Sequence, residues 1–263
     1  MTDLYLTEQN YITSISKKIP HIDCSLSGWK KNLDDISRQP ELEIQWATQG
    51  DFEYIIDKVK DHILLLKVWS PKISDLNPLE LLAKVEYLII DWNQKSTGLW
   101  NLGRNAALKE LALSSFRRLT DLSGLKTAPH LKGLYLGGDL EKKWRIASLE
   151  PLSALTSLEA LHFWEIRLDD GSFRPLHNLK QLKRLRAELK ICNTEEYARL
   201  FAALRHTECD YSSGIFPMED LNTIELIGKG KRCVTVETGW PKAEEFSRQF
   251  QKSVEEYMKQ ENR

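Results

Sequence analysis

The chain has 263 residues, with 37 basic and 38 acidic side chains and a net charge of −1. That balance sets up no field to draw in nucleic acid or an anionic membrane surface, so neither is expected as a partner. The N-terminal stretch lacks a basic start followed by an apolar core, and no uncharged apolar run of about 18 residues occurs, which predicts a cytoplasmic, monomeric chain. Four cysteines, Cys24, Cys192, Cys209 and Cys233, at scattered spacings fit a reducing compartment, as does the lack of an N-x-S/T acceptor site.

Residues 1 to 40 show no period beyond a copy of a later pattern at Ile22 and Cys24, and are read as capping structure. Glu41 to Trp46 lies 22 residues upstream of a clearer motif at Ile63, which predicts a degenerate strand through Ile44 and Trp46. Phe52, Ile55, Ile56 and Val59 share one face of a helix, with Asp51 placed to cap its N-terminus.

From Ile63 a pattern of the form L-x-x-L-x-L recurs. It reads Ile63, Leu66 and Val68; Val85, Leu88 and Ile90; Leu108, Leu111 and Leu113; Leu131, Leu134 and Leu136; then Leu158, Leu161 and Phe163. Weaker copies are Leu182, Leu185 and Ala187, then Leu204, Thr207 and Cys209. Start positions 63, 85, 108, 131, 158, 182 and 204 differ by 22, 23, 23, 27, 24 and 22, the signature of a repeat architecture. In each ending the fourth and sixth residues share one face of a short strand and point inward, because side chains alternate across a strand. Between endings, a beat of three such as Ile73, Leu76, Leu79, Leu82 and Val85 matches the three residues per turn of a 3₁₀ segment. One such coil cannot bury its own apolar edge, so neighbours must stack.

The spacing over Ile63 to Ser212 resembles the leucine-rich repeat family, in its short class with repeats of about 22 residues. The resemblance implies an α/β solenoid, with a curved parallel sheet on the concave side and 3₁₀ or short helices on the convex side. It also implies an asparagine or cysteine three residues after each strand's last apolar residue. That place holds Pro71, Asn93, Phe116, Asp139, Ile166, Lys190 and Ser212, so only Asn93 follows the pattern. The predicted division is an N-terminal cap with degenerate repeats over 1–62, repeats over 63–212 and a C-terminal cap over 213–263.

In the last repeat Asn193 or Thr194 opens a helical pattern carrying Tyr197, Leu200, Phe201 and Leu204, which predicts a return through an α-helix instead of a 3₁₀ turn; the cap follows it. Ile224 to Ile227 and Cys233 to Glu237 flank Gly228 to Arg232, which predicts a hairpin with a basic, solvated turn. Pro241 is expected at a first helical position, with Phe246, Phe250, Val254 and Tyr257 along one face. Hairpin and helix together would close the open end of the last coil.

No constellation points to catalysis. His206, Cys209, Cys192 and Cys233 contain no C-x-x-C pair, so no metal site is predicted, and the lysine-serine or lysine-threonine pair of a phosphate loop is missing after Gly228. No cofactor is expected. What remains is the concave face, where the third, fifth and seventh residues of each ending project. Trp69, Tyr87 and Trp92 on one side and Tyr135, His162 and Trp164 on the other are expected to wall a trough. Its floor would be the small residues Ala112, Ser114, Gly133 and Gly137, with Arg184 and Arg186 beside it able to receive a carboxylate. Large aromatics on a solvated face are typical of binding hot spots, although they can also fill a concavity by packing on each other. Together with the resemblance, they predict a protein-binding module or scaffold that grips another protein. The alternatives are a dedicated inhibitor, immunity or regulatory protein for one toxin or enzyme, and an enzyme with its site in a cap.

Overall fold

The repeated endings become rungs of one sheet. The structure, a computed structural model, describes residues 19–139 and 141–261, so the first 18 residues of the expected N-terminal cap lie outside it. In chain order the strands and α-helices begin with β1 (His21–Asp23), α1 (Trp29–Ile36), β2 (Glu41–Gln45), α2 (Gln49–Val59) and β3 (Leu65–Trp69). Next come β4 (Tyr87–Asp91), β5 (Glu110–Ser114), β6 (Gly133–Gly137), β7 (Trp144–Ile146), β8 (Ala160–Trp164), β9 (Ile166–Leu168) and β10 (Arg184–Ala187). The chain closes with α3 (Thr194–Ala203), β11 (Glu208–Cys209), β12 (Ile215–Met218), β13 (Thr223–Leu226), β14 (Val234–Thr235) and α4 (Val236–Glu261).

Nine strands form a parallel sheet in the order β1, β2, β3, β4, β5, β6, β8, β10, β11. Return segments cross the opposite side through 3₁₀ turns at Asn77–Leu81, Leu102–Arg104, Ser123–Thr127, Glu150–Ala154 and Arg174–Asn178, where the beat of three falls. The register stacks the fourth-position residues Leu42, Leu66, Leu88, Leu111, Leu134, Leu161 and Leu185 in one column, all buried. A second column carries Ile22, Ile44, Val68, Ile90, Leu113, Leu136, Phe163 and Ala187. These columns are the core, and they extend upstream of Ile63 into β1 and β2.

Two expected registers shift. Leu42, paired with Leu66, takes the fourth position and Ile44 the sixth, so Trp46 falls beyond the strand and Ile22 rather than Cys24 is the inward residue of β1. At the other end Cys209 pairs with Leu185 and so holds the fourth position, not the sixth. Both shifted coils return through an α-helix, α2 or α3, which rises about 1.5 Å per residue against about 2.0 Å for a 3₁₀ turn and so consumes more residues over the same span. The cap of α2 also differs in detail. Thr48 is the N-cap and Asp51 the third helical residue of a capping box, each side chain holding the other's backbone N–H.

The 27-residue step is absorbed by a turn after β6. There Asp139 Oδ1 accepts from the N–H groups of Glu141 and Lys142, both at 2.8 Å. Beyond it β7 pairs in parallel with β9 in a small second sheet, and Trp144 stacks on Phe116 while its Nε1 donates to Leu119 O at 2.6 Å. The missing asparagine ladder is replaced by scattered bonds of this kind. Asn93 Oδ1 accepts from Lys95 and Ser96 N–H, and Ser96 Oγ reaches the preceding coil at Ile73 O, 3.1 Å. Asn105 is the densest such joint: its Nδ2 donates to Leu79 O and Leu82 O at 2.7 and 3.0 Å, and its Oδ1 accepts from Trp100 Nε1 at 2.7 Å.

A further regularity follows the seventh position. The next residue is left-handed at Trp46 (φ 56), Ser70 (φ 48), Trp92 (φ 60), Ser115 (φ 55) and Glu165 (φ 47). The first four of these donate their N–H to the seventh-position carbonyl of the following coil, at 2.8 to 3.1 Å, so the kink closes the ladder at the strand end.

The C-terminal segment is a three-stranded antiparallel sheet, β12, β13 and β14, rather than the expected two-stranded hairpin. The turn after β13 is not wholly solvated. Gly228 is buried with φ 117, a Cβ there would meet Thr194 Oγ1 at 2.2 Å, and its N–H bonds to Leu189 O, so the turn docks on the last coil. α4 starts at Val236, which puts Pro241 in its second turn instead of at its first position and leaves the Glu237 carbonyl without its helical donor. Its apolar face packs on α3, with Phe250 edge-on to Phe201 at 5.9 Å and Tyr257 donating to Glu195. Among the described residues no helix is long and apolar enough to cross a membrane.

Candidate functional site on the concave face

The sheet's open face is unevenly closed. At its centre Ile89, Ala112 and Tyr135 form a second buried cluster, with Tyr87 and Trp164 packed against it. The expected trough floor is filled. Tyr135, 4% exposed, lies over Gly137, where a Cβ would come within 2.6 Å of its ring, and Glu110, 1% exposed, covers Gly133. The ring of Tyr135 meets His162 edge-on at 4.9 Å. Burial pushes the Tyr135 hydroxyl well above its ordinary range, with Asp91 and Glu188 adding to it. Burial, then the charge of Arg186, pushes His162 down to about 4, so this imidazole is neutral at physiological pH.

Arg184 and Arg186 do not stand ready for an incoming carboxylate. The shifted register brings Glu208 and Asp210 opposite them, at 3.3 and 3.2 Å, and the pairs lie beyond the aromatic centre of the face. Lys67 is likewise held by Glu43 at 3.3 Å.

Open aromatic surface is concentrated toward the N-terminal half of the sheet. Trp46, Trp69 and Trp92 form a stair along one rim, with ring centroids 4.7 and 6.2 Å apart and each pair edge-on. Trp46 and Trp92 are 39% and 49% exposed. Both sit at the left-handed position after the strand, where the backbone turns the side chain out of the core. Trp69 precedes that position in its own coil and links the two. Beside the stair, between it and Trp164, opens a cleft of about 390 Å³ whose aromatic lining is Trp69, Trp92, Tyr135 and Trp164. Its charged lining is Asp91, Asp139 and Glu141, with Arg117 the cation. Asp91 accepts from Ser114 Oγ, and the inserted turn after β6 supplies Asp139 and Glu141.

The structure therefore brings Trp69, Trp92, Tyr135 and Trp164 to one cleft, sets Tyr87 and His162 in the packed bed next to it, and leaves Arg184 and Arg186 apart. Trp46 escaped the sequence reading because the shifted register placed it inside a strand. The 27-residue step was the signal that could have found the acidic turn. As for chemistry, the described residues include no group of three His, Cys, Asp or Glu side chains able to hold a metal. Burial raises the thiols of Cys24, Cys192 and Cys209, so none of these carries an activated thiolate.

A parallel sheet of L-x-x-L-x-L strands, stacked by a convex 3₁₀ return at steps of 22 to 27 residues, defines a leucine-rich repeat solenoid. Among solved structures the chain is similar to internalin C2 of Listeria monocytogenes, at 25% identity over 62% of this chain and 65% of that one, with a TM-score of 0.45. It is also similar to a second internalin of that organism, inlF, at 22% identity over 60% of this chain and 42% of that one, TM-score 0.43. A plant peptide hormone receptor, RGFR1 in complex with RGF2, follows at 13% identity over 65% and 30%, TM-score 0.42. The chain spans less than two thirds of each of these. No protein-family model matches it, and no curated protein does.

Proposed function

We propose that the chain is a protein-binding module that grips a partner protein on its concave face, at the Trp46, Trp69 and Trp92 stair and the cleft running to Trp164, and that it performs no catalysis. The observation that carries this reading is the contrast within one face: most of it is closed by its own side chains, whereas the stair holds two half-exposed tryptophans in place. Exposed aromatic area of this kind is concentrated at interface hot spots. In this reading residues 1–62 hold the N-terminal cap and degenerate first repeats, residues 213–263 serve as the C-terminal cap, and the chain works as a monomer in a reducing compartment.

The test uses Trp69→Ala, Trp92→Ala and Trp164→Ala, each shown by circular dichroism to be folded, with binding measured to the partner that co-purifies with the intact chain. A hot spot loses at least about 2 kcal/mol of affinity. Full retention by all three folded variants would move the site off this face. Tyr135→Ala is a poor probe, because its ring is core to the bed and its loss would report stability.

A further inference from the structure

We propose that the cleft between Trp92 and Trp164 is a receptor for a cationic side chain, an arginine or lysine presented by the partner protein; this rests on the concave-face reading and gives it a chemistry. Two independent properties of the cleft agree. Its walls are aromatic, with Trp69 and Trp92 on one side and Trp164 on the other, and indole faces attract a cation through the negative face of the ring, most strongly for tryptophan. Its charged lining is acidic in excess, with Asp91, Asp139 and Glu141 against one cation, Arg117. Two of the three carboxylates come from a different part of the sequence than the rings. The rings stand on or just after strands of the repeat, whereas Asp139 and Glu141 sit on the turn inserted into the 27-residue coil.

Size and reach fit. The cleft's volume of about 390 Å³ lies within the range of single-ligand pockets, enough for one long side chain and part of its backbone. The strands that carry Trp92 and Trp164 are three steps apart, or about 14 Å along the sheet, which leaves room between the walls for an extended stem whose guanidinium or ammonium rests against one of them. An acidic side chain would instead meet three carboxylates. The cations farther along the face, Arg184 and Arg186, are held by Glu208 and Asp210 and do not offset that repulsion. Arginine should bind better than lysine, since its planar guanidinium stacks on indole while pairing with carboxylate.

The experiment titrates the intact chain with blocked hexapeptides of arginine, lysine, glutamine or glutamate, by calorimetry and by the indole N–H resonances of the tryptophans. The arginine and lysine peptides should bind saturably with shifts confined to Trp69, Trp92 and Trp164, and glutamine and glutamate peptides should not. Trp92→Ala and Glu141→Gln should each weaken arginine-peptide binding about tenfold, while Lys126→Ala on the convex side leaves it unchanged. Equal binding of the glutamine peptide, or affinity indifferent to both cleft variants, overturns the proposal. Its failure is separable from failure of the concave-face reading. If Trp92→Ala loses the co-purifying partner while no basic peptide binds, the cation receptor falls and the binding face stands. If every tryptophan variant keeps that partner, the face itself is wrong whatever the peptides do.

Discussion

Single side chains here do their work through neighbours in the next coil. Leu134 stacks between Leu111 and Leu161 with no solvent contact, so Leu134→Ala should lower stability by about 2 to 5 kcal/mol in urea unfolding. An unchanged midpoint would mean that the stacking register is wrong. Asn105 ties its own coil to the preceding one at a single buried joint. Asn105→Ala strands the Trp100 indole N–H and two carbonyls in the core and should cost at least about 2 kcal/mol, more than its small apolar contact could explain. His162 gives a pH signature. Its folded pKa of about 4 lies below the ordinary 6.5, so as pH falls the unfolded chain takes up the proton first. The stabilisation from keeping it neutral is complete above about 6.5, is lost as pH falls toward about 4, and amounts to no more than about 3 kcal/mol. His162→Gln should flatten stability across that window, and an imidazole titrating near 6.5 by NMR would refute the burial that causes the shift.

At the scale of elements, what was legible in the sequence was whatever local apolar spacing dictates. Leu88, Leu111, Leu134 and Leu161 announce their strands and the beat of three announces the 3₁₀ returns, because burial on a stacked coil tolerates few other residues there. The misreadings sit where geometry departs from that beat. A helical return changes the number of residues per coil, which moved Trp46 out of β2 and Cys209 to the fourth position. β12 was missed because its sequence, IFPM, carries no alternation and its pairing partner lies across a turn. The candidate site was half legible: aromatic identity and row could be read, but not that Tyr135 would fold down onto Gly137, since the hollow it fills belongs to its own strand. Two element-level outcomes follow. Thr48→Ala removes the capping box of α2 and should cost about 1 kcal/mol in thermal or urea unfolding. Ending the chain after Phe216 removes β13, β14 and α4, and uncovers Phe201 and the apolar side of α3. That truncated chain should aggregate or lose cooperative unfolding, and a monomer that melts like the intact chain would make the segment an appendage rather than a cap.

Across the whole molecule, stability passes from coil to coil through the buried columns, while the concave face is assembled from residues that those columns do not need. The separation is sharpest at the left-handed position that follows five of the strands. One backbone conformation recurs there with Trp46, Ser70, Trp92, Ser115 and Glu165, and none of the five is buried. Since an aromatic, a hydroxyl and a carboxylate all occupy the same kink, the fold does not prescribe which residue stands there. These five places therefore behave like interchangeable type in a fixed frame. A lineage can rewrite what the rim displays, one letter at a time, without resetting the core. By the same logic Ser70→Trp, beside Trp69 and between two coils that already carry tryptophan there, is a change the backbone has already shown it can hold, and it would lengthen the stair instead of breaking the sheet.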